Sequence, residues 1–147
     1  MTIERKPIVL FLCTHNSARS QMAEAILRNL AGDRYEVLSA GLEPTVLHPM
    51  AIEVMREIGI DISGQRSKSV VEYLAKVAVK IPIIVCRKCE ENCPSIWPFA
   101  SQVLSWPFDD PAEAASSPNG LQHFRRVRDE IEGTIREWLK QQSIQPT

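Results

Sequence analysis

The sequence predicts an α/β fold: a single three-layer domain over residues 1–147, with a four-stranded parallel sheet flanked by helices. Two patterns predict it. Short apolar, β-rich runs alternate along the chain with segments of helical periodicity, the pattern of βαβ units. The first run, Ile8 to Leu12, is apolar at every position instead of every second one, as a strand needs when both faces of its sheet are covered. A length of 147 residues also fits one domain with a sizeable core.

The elements follow in order. After the Ile8 to Leu12 strand, Ser20 precedes a helix that sets Met22, Ala23, Ile26, Leu27 and Leu30 on one face and ends at Gly32. Tyr35 to Ser39 reads as a second strand. Pro49 opens a second helix, where its missing N–H is harmless, and Gly59 closes it after Ile52, Val54, Met55 and Ile58. Ser67 to Ala78 reads as a third helix and Lys80 to Val85 as a third, buried strand. A loop rich in Cys, Pro and Asn runs on to Pro98, and Ser101 to Leu104 is a weaker fourth strand. Trp106 to Asn119, "WPFDDPAEAASSPN", carries three prolines and reads as a long loop with room for a helical turn. The last helix, about Leu121 to Gln141, aligns Phe124, Val127, Ile131, Ile135, Trp138 and Leu139 on one face, with Arg and Glu opposite.

Composition excludes several classes of function. Hydrophobic residues at 44% and charged residues at 24% are those of an ordinary globular domain. With 17 basic and 18 acidic residues spread along the chain, net charge is −1, so there is no electrostatic footprint for nucleic acid or for an anionic membrane. Apolar runs such as Ile81 to Cys86 fall far short of a membrane span, and Met1 to Lys6 is too polar for a signal peptide. A cytoplasmic monomer is expected. In that compartment four cysteines read as catalytic, redox-active or metal-binding groups. Cys13 stands alone, whereas Cys86, Cys89 and Cys93 cluster.

In sheets of this kind ligands bind beyond the carboxyl ends of the strands. Cys13 ends the first strand and Cys86 the third, so both fall on that edge. The Cys13 loop, "CTHNSARS", runs into the start of a helix, where unpaired N–H groups and the positive end of the helix dipole favour an anion and favour the thiolate of a cysteine. Arg19 adds a planar fork of donors suited to two oxygens of a tetrahedral oxyanion. Thr14, His15, Asn16, Ser17 and Ala18 complete the cradle. Ser20, at or near the helix N-cap, is placed to offer its hydroxyl to the Cys13 sulfur, and Asn16 suits an unusual backbone conformation. Chemistry on the bound anion needs a proton for the departing oxygen, for which Asp109 and Asp110 of "FDDP" are the candidates.

The C-x5-R-S spacing of "CTHNSARS" resembles the low-molecular-weight protein tyrosine phosphatase superfamily, and implies that fold. The superfamily places its general acid just before a proline, which selects Asp110. Phosphatases of that group follow the Asp-Pro with aromatic residues that sandwich the phosphotyrosine ring, where this chain has Ala112, Glu113 and Ala114. A small inorganic oxyanion suits such a pocket better than an aryl phosphate.

"VCRKCEENCP" is similar to the thioredoxin-coupled arsenate reductases of the superfamily, as are "RSQMAEAIL", "SAG", "GIDIS", "WPFDDPA" and "FRRVRDEI". The resemblance implies arsenate as substrate, Cys13 as nucleophile, Cys86 as the thiol that attacks it, Cys93 as the resolving thiol and thioredoxin as reductant, with no bound cofactor. Cys89 departs from the pattern: it makes a C-x-x-C pair with Cys86, competes with Cys93 as resolving thiol, and opens the door to glutaredoxin or a low-molecular-weight thiol. Some members bind potassium through residues matching Asn16, Glu24, Ser39 and an Asp. Here the Asp position reads Lys68, so its ammonium either replaces the cation, giving no potassium dependence, or is a solvated helix residue.

Other readings remain at this point. A phosphomonoesterase would use the extra cysteines only to protect Cys13 from overoxidation. A non-enzymatic oxyanion- or metal-responsive module would use the cysteine cluster for zinc or arsenite, although three thiols leave a fourth ligand to be found. Lone His15, His48 and His123 are weak signals, and Trp97, Trp106 and Trp138 read as packing residues.

Overall fold

The computed structural model describes residues 6–74, 76–86 and 97–144, apart from the side chains of residues 74, 143 and 144. Strands β1 (Ile8–Cys13), β2 (Glu36–Gly41), β3 (Val79–Ile84) and β4 (Leu104–Ser105) form one parallel sheet, in the order β2, β1, β3, β4. The central position of β1 explains its unbroken apolar run. Val9 and Phe11 face a large cluster built by helices α1 (Arg19–Ala31), α2 (Pro49–Glu57) and α4 (Gly120–Ile144), whereas Leu10 and Leu12 pack against Val70 and Val79 on the other face. A short α3 (Val71–Leu74) lies on that second side. Each residue of β1 from Val9 to Cys13 is buried, so alternation has nothing to report.

The large cluster joins Phe11, Met22, Leu27, Met55, Phe124, Ile131 and Ile135, all fully buried. Every residue of the apolar stripe expected on the last helix is buried. The polar face of α4 is less uniform than its sequence predicts. Arg128 folds inward to donate to the Val54 carbonyl at 2.9 Å and to Glu57 at 2.8 Å, and Arg125 grips the same carboxylate at 2.7 Å, clamping α2 to α4. The tryptophans pack as expected. Trp106 lies 6.2 Å from Phe11 and 6.1 Å from Trp138, ring to ring, and Trp97 lies against the second cluster.

Two elements differ from the sequence reading. The helix expected over Ser67 to Ala78 contracts to Val71–Leu74, because the backbone before it extends the hydrogen bonding of β2: Gly41 N donates to the Lys68 carbonyl and Val70 N to the Gly41 carbonyl. A residue committed to that ladder cannot also bond four residues along its own chain. The fourth strand is Leu104–Ser105 instead of Ser101 to Leu104. Isolated bonds nevertheless keep this segment beside β3, from Ser101 N to the Lys80 carbonyl through Trp106 N to Ile84 and Phe108 N to Val85. The segment thereby delivers Asp109 and Asp110 to the carboxyl edge. Among the described residues no helix is long and apolar enough to cross a membrane.

His48 caps α2: its Nδ1 accepts from Met50 N at 3.1 Å, its own N–H donates to the Ser17 carbonyl, and its ring lies 4.7 Å from Phe124. Burial pushes its pKa below the ordinary 6.5, against an opposing pull from Asp110. As pH falls through the ordinary value the unfolded chain takes up a proton that the folded chain refuses, so stability falls. Thermal melts between about pH 7 and about pH 5 are expected to show this loss in the native protein. His48→Asn, which keeps a capping acceptor and cannot titrate, is expected to lose less over the same range.

Candidate active site

Cys13 is the last residue of β1 and almost completely buried. Its sulfur receives the Asn16 backbone N–H at 3.1 Å and lies 2.9 Å from the Ser20 hydroxyl. Asn16 can aim its N–H at the sulfur because it adopts a left-handed backbone, φ 51°, which Asn tolerates better than most residues. The loop closes tightly against the end of β2. A Cβ added to Gly41 would come within 2.8 Å of the Thr14 carbonyl oxygen and 2.9 Å of Asn16 N, so only glycine leaves the loop this path.

Ser20 is not the N-cap. Ala18 occupies that position, and Ser20 lies inside α1, fully buried, where its hydroxyl serves the sulfur instead of the helix end. No side chain caps α1 and no acid stands in its first turn. The first N–H groups and the positive end of the dipole are therefore left for an anion.

A cleft of about 250 Å³ opens over this loop, lined by Thr14, His15, Arg19, Cys86, Phe108 and Asp110, with Asp109 and Glu113. Arg19 donates to the Phe108 carbonyl at 3.1 Å and lies 3.6 Å from Asp110. The first residue of α1 is thus tied to the loop after β4. Asp110 caps the short 3₁₀ turn Pro111–Ala114 by accepting from Ala112 N at 3.0 Å. Asp109 is more exposed and pairs with Arg126 on α4 at 3.4 Å, which leaves Asp110 as the carboxylate beside Arg19.

Cys86 follows β3 and is 1% exposed, and the Thr14 hydroxyl lies 3.5 Å from its sulfur. Cys86 is disulfide-bonded and Cys13 is free, so the bond is not between these two. Cys89 and Cys93 lie outside the described residues.

Lys68 is buried, not a solvated helix residue. Its ammonium donates to the Arg66 carbonyl at 2.7 Å and lies 3.4 Å from the Ser39 hydroxyl and 3.6 Å from Glu24. Ser39 donates to Glu24 and accepts from the Asn16 side-chain amide at 3.0 Å. The ammonium therefore stands among Asn16, Ser39 and Glu24. Burial pushes its pKa down and Glu24 holds it up.

The structure thus brings together Cys13, the Thr14 to Arg19 loop, Ser20, Asp110 and Cys86. Sequence reasoning missed three contributors. Phe108 acts through a backbone carbonyl, which no side-chain pattern reveals. Glu113 was noted for the aromatic residue it is not, and it stands at the cleft wall. Gln21 is a fully buried polar residue one turn into α1, a placement that only the fold discloses.

A buried sulfur at a strand-to-helix turn, beside a cleft that holds an arginine and a carboxylate, is an arrangement of the kind found in cysteine-dependent enzymes that act on oxyanions. The chain belongs to the low molecular weight phosphotyrosine protein phosphatase family, whose sequence profile matches residues 8–146. It is 42% identical over 127 residues to an arsenate reductase of Halalkalibacterium halodurans, covering 86% of this chain and 90% of that one. An arsenate reductase structure in the phosphate-binding state matches with TM-score 0.79 at 34% identity, covering 92% of this chain and 98% of that one. A thioredoxin-dependent arsenate reductase of Corynebacterium glutamicum matches with TM-score 0.72 at 31% identity, over 95% of this chain and 63% of that one.

Arg19→Lys keeps the charge and loses the planar fork and its bond to Phe108. It is expected to weaken binding of inorganic phosphate, used as a non-reacting oxyanion, by about tenfold or more, measured by calorimetric titration.

Proposed function

We propose that this protein is an arsenate reductase that works through a cysteine relay and draws its electrons from thioredoxin. One observation supports the reading above the others: a second cysteine, Cys86, lines the same cleft as Thr14, His15 and Arg19 of the Cys13 anion loop, with its sulfur 3.5 Å from the Thr14 hydroxyl. A phosphatase would use a second sulfur there only to protect the first from overoxidation, whereas a reductase needs it as the source of electrons.

The Cys13 thiolate attacks arsenic in arsenate bound by the loop amides and Arg19. Asp110 protonates the departing oxygen, which leaves as water, and a Cys13–arsenic(V) adduct remains. The Cys86 thiolate then attacks the Cys13 sulfur. The sulfur–arsenic electron pair goes to arsenic, arsenite departs, and a Cys13–Cys86 disulfide forms. Cys93 attacks Cys86, freeing Cys13, and the Cys86–Cys93 disulfide is reduced by the dithiol of thioredoxin. A free Cys13 beside an oxidised Cys86 fits the state after this hand-over. Cys89 is the alternative resolving thiol, and with it glutaredoxin or a small thiol is the alternative reductant. The reaction needs no resident cofactor, because both electrons come from thiols, and the Lys68 ammonium supplies a positive charge beside Glu24 without a potassium ion.

The relay is tested by following reductant oxidation by thioredoxin and its reductase after arsenate addition. Cys13→Ser and Cys86→Ser are expected to abolish turnover, and Asp110→Asn to lower it about 10²–10⁴-fold, the usual share of a general acid. Cys93→Ser is expected to stop at one turnover while Cys89→Ser continues; the reverse pattern assigns the resolving role to Cys89. Hydrolysis of an aryl phosphate that survives loss of Cys86 and Cys93, without arsenate-dependent oxidation, would identify a phosphomonoesterase instead.

A further inference from the structure

Four side chains join the surface to the candidate nucleophile by hydrogen bonds, and the direction of each bond is fixed by its surroundings. The Gln21 Nε2 lies 2.9 Å from the Asn16 carbonyl oxygen and 2.8 Å from the Arg66 carbonyl oxygen. Both are backbone acceptors, so the Gln21 atom facing them is the nitrogen, and its Oε1 points the other way. That oxygen accepts from Gln65 Nε2 at 2.6 Å, and the same nitrogen faces the Gln21 carbonyl at 3.3 Å. Asn16 is settled in the same way. Its Oδ1 receives the Lys68 backbone N–H at 2.8 Å and the Gln21 Nε2 at 3.0 Å, so its Nδ2 must face Ser20 at 2.7 Å and Ser39 at 3.0 Å.

The serines inherit this polarity. An amide nitrogen can only donate, so each serine oxygen accepts from Asn16 and turns its own proton elsewhere. Ser39 gives its proton to Glu24, whose charge is met by Lys68 and by Arg28 at 2.6 Å. Among the described residues Ser20 has one remaining hydrogen-bonding neighbour, the Cys13 sulfur, and gives its proton there.

We infer that Gln21, held by Gln65, is a positioning residue that sets the direction of the Gln65–Gln21–Asn16–Ser20 chain so that it ends on Cys13 with a donated proton. Gln21 touches no reacting atom. Together with the Lys68 backbone N–H it holds Asn16 away from the flipped amide, in which Oδ1 would face Ser20, draw the serine proton to itself and leave an oxygen lone pair against a negative sulfur. The inference rests on Cys13 as the nucleophile. It goes beyond that role by assigning the sulfur's donor to a residue two hydrogen bonds away, with a further anchor at the half-buried Gln65.

Gln65 allows a test from outside the core. Gln65→Glu places a carboxylate where a donor stood; it repels the Gln21 oxygen and draws the Gln21 nitrogen away from Asn16, which loosens the hold on the Asn16 amide. Gln65→Leu only removes a donor. The readout is the pH dependence of Cys13 alkylation by iodoacetamide, followed by mass spectrometry on otherwise reduced protein. Gln65→Glu is expected to move the curve up by about 0.5–1 pH unit, the worth of one hydrogen bond, and Gln65→Leu by clearly less. The difference is expected to persist in about 1 M salt, which screens a direct effect of the new charge. Gln21→Met, which keeps the volume and loses the donor, is expected to shift the curve in the same direction. Curves for Gln65→Glu and Gln65→Leu that coincide, or a difference that salt abolishes, would overturn the inference while native Cys13 still reacts. A native Cys13 that fails to react would instead overturn the reading of Cys13 itself.

Discussion

The left-handed turn at Asn16 is the constraint on which the site depends. With an ordinary right-handed backbone the N–H of residue 16 would point away from the sulfur, and the chain would begin its helix too early to leave a loop. The turn is held from several sides at once. The Asn16 side chain bonds to two serines and receives two donors, while Gly41 leaves room behind it. A conformation this restricted persists only where its surroundings over-determine it, and here the surroundings belong to α1, β2 and the segment before α3.

The cleft is divided between a rigid rear and an independently anchored front. The rear is the loop between β1 and α1, buried on most sides. The front is the stretch after β4, which follows β3 to the carboxyl edge and is joined to the rear chiefly through Arg19, by its bonds to Phe108 and Asp110. One residue of the Cys13 loop therefore also holds the opposing wall. Cys86 arrives by a third route, the end of β3, so segments that follow three strands of one sheet line a single cleft.

How much of this was legible in the sequence depended on the kind of signal. The buried strand Ile8 to Leu12 and the α4 stripe were readable because covering a surface leaves a period in the residues that do the covering. That Cys13, Arg19, Asn16 and Asp110 gather at one site was readable because their side chains carry their chemistry with them, and the spacing of Cys13 and Arg19 is short. The segment Ser67 to Ala78 was misread as helix because its backbone bonds to a distant partner, Gly41, that local propensity does not contain. Ser20, read as lying at or near the helix cap with its hydroxyl toward the Cys13 sulfur, lies two residues past the cap, and its hydroxyl is indeed at the sulfur. Gln21 looked like one polar residue on an amphipathic helix. Yet α1 is buried over Ser20 to Leu27 in an unbroken run, and on such a helix every polar residue has a partner to find.

Gly41 bears on how such a chain can change over time. The wall behind the sulfur has no space for even a methyl group, so variation there breaks the loop before it can alter what the loop holds. The opposite wall, from Ala112 through Ala115, carries small residues and one exposed glutamate and is free of that restriction. New preferences for what enters the cleft can therefore be acquired on one side only, with the reactive half passed on unaltered.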